Sequence, residues 1–140
     1  MKWHREGKAG VLAALAKLGI EAREDVDGVT PNGTKWKADV LFAIHERNIA
    51  IVLQRSYQHL REFRRRQERF AECGIECFWL FRDVPFVTFS NTTAPLSELP
   101  VSILNEGRVQ SASVAEWLSA IVDGSFRFYD GLWAIALRAE

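Results

Sequence analysis

The sequence lacks the features that mark several classes of protein. It has only two cysteines, Cys73 and Cys77, which are too few for a disulfide framework or a structural zinc site. No apolar run approaches the roughly 20 residues that a helix needs to cross a bilayer. No uninterrupted apolar segment of the kind found in signal peptides follows Met1. We therefore expect reduced thiols and a cytoplasmic protein that does not enter a membrane.

An overall excess of charge is also absent, since 18 Lys and Arg residues balance 18 Asp and Glu residues. Nucleic acid would therefore have to bind to a local basic patch. The three histidines are scattered without metal-ligand spacing, and the glycines match no phosphate-binding loop. What remains is a chain of 140 residues, 48% of them hydrophobic, which is typical of one globular domain.

The first half of the chain predicts a helix and then three strands. Apolar residues at helical spacing predict a helix over 4–18 that ends at Gly19. A strand over 20–26 follows, in which Ala22, Glu24 and Val26 share the more apolar face, so Glu24 should have a partner. Turns are predicted at 27–28 and 31–33. Two central strands, 37–44 and 49–56, are separated by a short connection that favours an antiparallel hairpin.

The second half predicts a helix, a buried strand and a smaller appendage. The helix covers 58–73, with an apolar side and a polar side that carries Arg61, Arg65 and Arg69. The buried strand, 75–81, should lie parallel to its predecessor because a helix connects them. Short strands over 84–89 and 101–104 flank a loop over 91–100. A last helix begins at Ser113, with Glu116 completing a capping box, and an apolar tail packs on the domain or on a second subunit.

Several short motifs in the central segment resemble the competence protein CoiA-like nuclease family. The resemblance is densest over 37–82 and extends more weakly to His4 and Lys8 of the first helix and to the strand with Glu24. The motifs are Ala38-Asp39-Val40-Leu41, the strand 49–56, Glu62 with Arg66 and Phe70, Gly74-Ile75, and Trp79-Leu80-Phe81-Arg82.

The resemblance implies a restriction-endonuclease-like, or PD-(D/E)XK, α/β fold. Its core has the order α-β-β-β-α-β, with a central mixed sheet flanked by helices. We expect a single domain over 1–140, with its core at about 4–90 and a C-terminal appendage of helix and strands at about 91–140.

The resemblance also implies a metal-dependent site for cutting DNA. Asp39 corresponds to the metal-binding aspartate of the family, Gln54 to the last residue of its Glu-x-Gln motif, and Ser56 to the serine that follows. Glu24 corresponds loosely to an upstream acidic residue, and Arg66 to an arginine of the next helix. The implied cofactor is Mg²⁺ or Mn²⁺, and the implied partner is DNA.

Position 52 departs from the family pattern, which has glutamate where this chain has Val52. Mg²⁺ prefers carboxylate oxygens, and a valine side chain has no oxygen. Asp39, even with the carbonyl oxygen of Leu53, should therefore bind the ion weakly or not at all. Losing such a ligand costs on the order of a thousandfold in rate, so we expect an impaired active site.

Three hypotheses follow from the sequence. The first is an endonuclease-like protein with a degenerate site formed by Asp39, Val52, Gln54 and Glu24. The second is a module that binds nucleic acid without cutting it, through Arg55, Ser56, Arg61, Arg65 and Arg66. The third is an interaction module that forms a homodimer through the aromatic C-terminal segment. Each residue also has an ordinary structural interpretation: Asp39 as a hydrogen-bond acceptor, Val52 as strand core, and the arginines as a solvated helix face.

Overall fold

A computed structural model describes residues 2–55, 60–82, 100–110, 112–129 and 132–135 of the chain. The predicted order of elements is confirmed from the first helix to the strand that follows the second helix. The elements are α1 (Lys2–Lys17), β1 (Ala22–Val29), β2 (Lys35–Ile44), β3 (Arg47–Gln54), α2 (Leu60–Glu72) and β4 (Ile75–Phe81). None of the helices within the described ranges combines the length and apolar character needed to cross a membrane.

The last third adds short strands and one helix. They are β5 (Val101–Asn105), β6 (Arg108–Val109), β7 (Ala112–Ser113), α3 (Val114–Asp123), β8 (Phe126–Tyr129) and β9 (Leu132–Ile135). The predicted capping box at the start of α3 is present: the backbone N–H of Glu116 donates to Ser113 Oγ, and the backbone N–H of Ser113 donates to the Glu116 carboxylate. The strand predicted over 84–89 and nearly all of the loop predicted over 91–100 lie outside the described residues.

The described strands form a mixed sheet of seven strands in the order β1-β2-β3-β4-β5-β6-β7, and β8 pairs separately with β9. The predicted hairpin of β2 and β3 is antiparallel, and β4 lies parallel to β3 after the α2 crossover. The hairpin turn has only two residues, His45 and Glu46, both with positive φ. That is the geometry of a type I′ turn, whose twist matches the flanking strands.

One predicted turn is wrong. Gly28 was expected to bend the chain, but it lies inside β1 and pairs with Trp36 of β2. The indole ring of Trp36 covers Gly28 so closely that a Cβ there would lie 2.0 Å from a ring atom. An aromatic ring that covers a strand glycine in this way compensates for its missing side chain. The second predicted turn is confirmed around Gly33, which has a φ of 88°.

Apolar residues are buried on both faces of the sheet. Helices α1 and α3 cover one face with a cluster that includes Leu15, Ile51 and Trp117. Helix α2 covers the other face with a cluster that includes Phe63 and Trp79. The C-terminal tail begins by packing on the domain, because Phe126 is buried against Phe78 and Trp117. The homodimer through this tail stays a prediction.

Arg47 connects the hairpin to the end of α3. Its guanidinium donates to the Glu76 carboxylate at 2.7 and 2.9 Å, and to the carbonyl oxygens of Ile121 and Val122 at 2.9 and 3.1 Å. The hydrogen bond with Glu76 raises the pKa of Arg47. A cation that binds the last carbonyl groups of a helix stabilises its C-terminus.

Replacing Arg47 with glutamine should lower the free energy of unfolding by about 1–2 kcal/mol, because both the ion pair and the carbonyl contacts are lost. Urea denaturation followed by circular dichroism measures this. Glu76→Gln is the matched control, because it removes the ion pair and leaves the carbonyl contacts. If Arg47→Gln is no less stable than Glu76→Gln, the contacts with α3 contribute nothing.

Candidate functional site

The alternation of side chains in β1 is interrupted at Asp25. Ala22 packs against the cluster of α1 and α3, whereas Val26 packs against the cluster of α2, although both occupy even positions. Asp25 has a φ of 52°, and the ladder with β2 has no pair at this residue. The pairs on either side, Glu24 with Val40 and Val26 with Ala38, leave one residue unpaired on each strand, and both strands change face here. The prediction that Ala22, Glu24 and Val26 share one face is therefore wrong.

Glu24 lies at the surface, with 57% of its side chain exposed, and its partner is Lys8 of α1 at 3.7 Å. Lys8 donates more closely to the carboxylate of Asp25, at 3.0 and 3.1 Å. These hydrogen bonds raise the pKa of Lys8 and lower that of Asp25. Glu24 therefore has a partner, as the sequence predicted, but the contacts of Lys8 with the carboxylate of Asp25 are shorter. Nothing in the alternating pattern of β1 singled out that residue.

Asp39 joins three elements near the interruption. One carboxylate oxygen accepts a hydrogen bond of 2.8 Å from the backbone N–H of Leu53 in β3. The other lies 3.1 Å from Nε2 of His4 in α1. Only 9% of the residue is exposed. Both carboxylate oxygens therefore have hydrogen-bonding partners in the protein. The sequence had left open such a role as a hydrogen-bond acceptor for Asp39.

Val52 lies in β3 close to the level of Asp39. The last ladder pair of β2 and β3 on this side is Val40 with Ile51, and these two residues directly adjoin Asp39 and Val52 in the sequence. Val52 is 2% exposed and belongs to the apolar cluster of α2, together with Phe63, Trp79 and Phe81. A hydrocarbon side chain in the core thus occupies this position of β3.

Gln54 lies two residues further along β3 and accepts a hydrogen bond of 2.9 Å from Nη1 of Arg66 in α2. The guanidinium of Arg66 stacks over the indole of Trp79, with Cζ 4.7 Å from the ring centroid. Trp79 is itself fixed, because its Nε1–H donates to Gln67 at 2.6 Å. Burial lowers the pKa of Arg66, yet a guanidinium stays charged in proteins. The positive charge of Arg66 is thus fixed in position beside Gln54.

The side chains of Asp39, Val52 and Gln54 do not form a set of ligands that fits a divalent metal ion. Mg²⁺ needs several oxygen ligands, including carboxylates. Asp39 supplies a single carboxylate, the amide oxygen of Gln54 accepts a hydrogen bond from a cation, and the side chain of Val52 has no oxygen. Across the ranges that the structure describes, no three His, Cys, Asp or Glu residues are arranged to hold a metal.

A groove lies between the start of β2 and α2. We call it the β2–α2 groove; its volume is about 290 Å³, and its lining residues are Asp27, Lys35, Trp36, Lys37, Arg66, Arg69 and Phe70. Four of these residues are cationic and one is acidic. The ring of Trp36 lies 5.3 Å from that of Phe70, so an aromatic contact joins the strand to the helix.

The predicted nucleic-acid-binding residues are only partly brought together. Arg66 lines the groove, whereas Arg61 and Arg65 lie on the exposed side of α2, where Arg65 pairs with Glu62 at 3.0 Å. Arg55 is half-buried just after β3. Ser56 lies outside the described residues.

The cations at positions 35, 37 and 69 were missed. Helical spacing placed Arg69 on the solvent side of its helix, but it is half-buried against β2. The two lysines flank Trp36 at the start of β2, and that alternation of lysine and tryptophan was the available signal. Only the tertiary packing of β2 on α2 brings them to the arginines.

Comparison with known proteins shows the family of the chain and a similarity to a solved structure. No curated protein matches the chain. The chain is similar in structure to the crystal structure of a protein of unknown function, AF1548, with 13% identity and a TM-score of 0.43. That likeness covers 81% of this chain and 53% of the other, so the chain spans about half of that protein's length. The family model of the competence protein CoiA nuclease-like domain matches residues 2–117. Because the match covers most of the chain, this protein belongs to the family of the CoiA nuclease-like domain.

Proposed function

We propose that this protein is a member of the PD-(D/E)XK superfamily that binds nucleic acid and has a degenerate hydrolytic site. The observation that supports this best is the environment of Val52. The family pattern has a glutamate at this position, and the chain has a valine that is 2% exposed and packed among aromatic residues. A valine packed in this way is part of the core, which supports a position that no longer serves as a metal ligand.

The surviving polar residues have structural partners that hold the fold together. Asp39 connects α1, β2 and β3 through His4 and the backbone of Leu53. Gln54 connects β3 to α2 through Arg66. Such contacts explain how these residues persist without hydrolysis, because the hydrogen bonds contribute to the stability of the fold. The former metal site thus acts as a joint between the sheet and its helices.

The positive charge of the β2–α2 groove supports the binding half of the proposal. Lys35, Lys37, Arg66 and Arg69 line one groove in a chain whose net charge is zero. Nucleic-acid affinity depends mainly on neutralising phosphates with lysine and arginine, and it does not require a metal ion. Binding can therefore persist where cleavage has been lost.

The experiment is to incubate the wild-type chain with labelled single-stranded and duplex DNA, with and without Mg²⁺ or Mn²⁺. Fluorescence anisotropy over a salt series measures binding, and denaturing gels measure cleavage. We expect binding that weakens steeply as salt rises, and no cleavage with either ion. Cleavage that depends on the metal would contradict the degenerate site. Negligible binding at the lowest salt would remove the nucleic-acid function.

A further inference from the structure

The geometry points to a phosphate subsite for single-stranded nucleic acid in the β2–α2 groove. This inference rests on the proposed function and specifies which form of nucleic acid binds and where. It places the main contact on residues of the groove and not on the outer arginines of α2.

The charge of the groove favours an anion. Four cationic residues and Asp27 line a volume of about 290 Å³. Asp27 pairs across the ladder with Lys37, and both residues are exposed at the rim. Three cations therefore remain in excess among the residues that line the groove. An excess of lysine and arginine favours the binding of a phosphate.

Two features of the groove reduce the entropic cost of binding. Arg66 is already held by Gln54 and by the ring of Trp79, and Arg69 is half-buried beside it. An arginine that is fixed before the ligand arrives loses little side-chain freedom, and its planar donors match the geometry of a phosphate. By contrast, Arg65 on the outer side of α2 is exposed and paired with Glu62.

The size of the groove favours a single strand. A volume of about 290 Å³ corresponds to roughly ten water molecules, which is enough for a phosphate with part of its sugar. The walls are a strand and a helix packed on the same sheet, so a duplex would be held at the rim. A flexible single strand can place one phosphate inside while its neighbours stay in solvent.

The test compares two double variants that each remove two positive charges. Lys35→Gln/Arg69→Gln changes the groove, and Arg61→Gln/Arg65→Gln changes the outer side of α2. Fluorescence anisotropy with labelled oligothymidylate at low salt should show binding about tenfold weaker or more for the groove variant. Its salt slope should fall by about 0.7, the value for the one phosphate contact on a single strand that the groove makes. The outer variant should stay within about threefold of wild type.

The outcomes separate this inference from the proposed function. If the outer variant loses affinity and the groove variant keeps it, the groove is not the site and the proposed function stands. If the wild-type chain binds no nucleic acid, both the phosphate subsite and the proposed function are contradicted. If a duplex of the same sequence binds more tightly than the single strand, the single-strand assignment is overturned. Circular dichroism checks folding, and Lys35→Glu at an exposed position repeats the test should the double variant unfold.

Discussion

Replacing Val52 with glutamate is expected to create a divalent-metal site and to give the chain a metal-dependent DNA-cleaving activity. Position 52 follows Ile51, whose ladder partner Val40 follows Asp39, and Gln54 lies on the same face of β3 as position 52. Carboxylates at positions 39 and 52 of these neighbouring strands would supply the hard ligands that Mg²⁺ and Mn²⁺ prefer. The cleavage rate should exceed that of the wild-type chain by on the order of a thousandfold.

This variant should also be less stable in the absence of metal. A carboxylate at position 52 enters a cluster that contains Phe63 and Trp79, and burying a charge in apolar surroundings is costly. Because a bound ion offsets that cost, adding Mn²⁺ should raise the melting temperature of Val52→Glu and leave that of the wild-type chain unchanged. Thermal denaturation in chelator and in excess Mn²⁺ measures this difference.

Val52→Gln is the matched control, since glutamine has nearly the same size as glutamate and lacks its charge. It should neither cut DNA nor respond to Mn²⁺. Adding Asp39→Asn to Val52→Glu should abolish the new activity, because only one carboxylate then remains. A folded Val52→Glu protein that binds no metal would mean that positions 39 and 52 are not the two sides of a former metal site.

Replacing Trp79 with alanine is expected to cost about 3–5 kcal/mol of the free energy of unfolding. The side chain is fully buried, and its ring packs edge-on against Phe63 at 5.4 Å and against Phe81 at 6.5 Å. Its Nε1–H donates to Gln67, which would lose that partner. A domain of this size has about 5–15 kcal/mol in total, so a large part of its stability should disappear. Urea denaturation measures the loss.

Trp117→Ala separates packing from function, because Trp117 is equally buried but lies in the cluster on the opposite face of the sheet. The free energy of unfolding of Trp117→Ala should be lowered by an amount similar to that of Trp79→Ala. Only Trp79→Ala removes the ring beneath Arg66, so only that variant should also bind DNA more weakly at a temperature where both remain folded. Equal affinity in the two variants would mean that Trp79 does not position Arg66 for binding.

The order of the elements could be predicted because it depends on local signals. Gly19 and Gly74 follow the helices α1 and α2 and both adopt positive φ, as expected of residues that end a helix. The apolar run of β4 required a strand buried on both faces, which a parallel crossover supplies. The interruption at Asp25 could not be predicted, because the alternation on either side of it appears continuous in the sequence.

One part of the site could likewise be predicted from the sequence, and another part could not. Asp39 and Val52 adjoin the ladder pair of Val40 with Ile51, whose register follows from a short hairpin and is therefore set locally. The β2–α2 groove depends instead on how a helix packs on a strand that is about 30 positions distant in sequence. The periodicity of neither segment contains that information. Lys35 was therefore not singled out, and the arginines from Arg61 to Arg69 could be interpreted either as a solvated helix face or as a phosphate-binding surface.

The most direct test of the degenerate site is a calorimetric titration of Mn²⁺ into the wild-type chain and into Val52→Glu under identical conditions. We predict no saturable heat for the wild-type chain and a saturable signal near one ion per chain for the variant. Saturable binding of Mn²⁺ by the wild-type chain, abolished by Asp39→Asn, would show that a working metal site remains and would contradict the account.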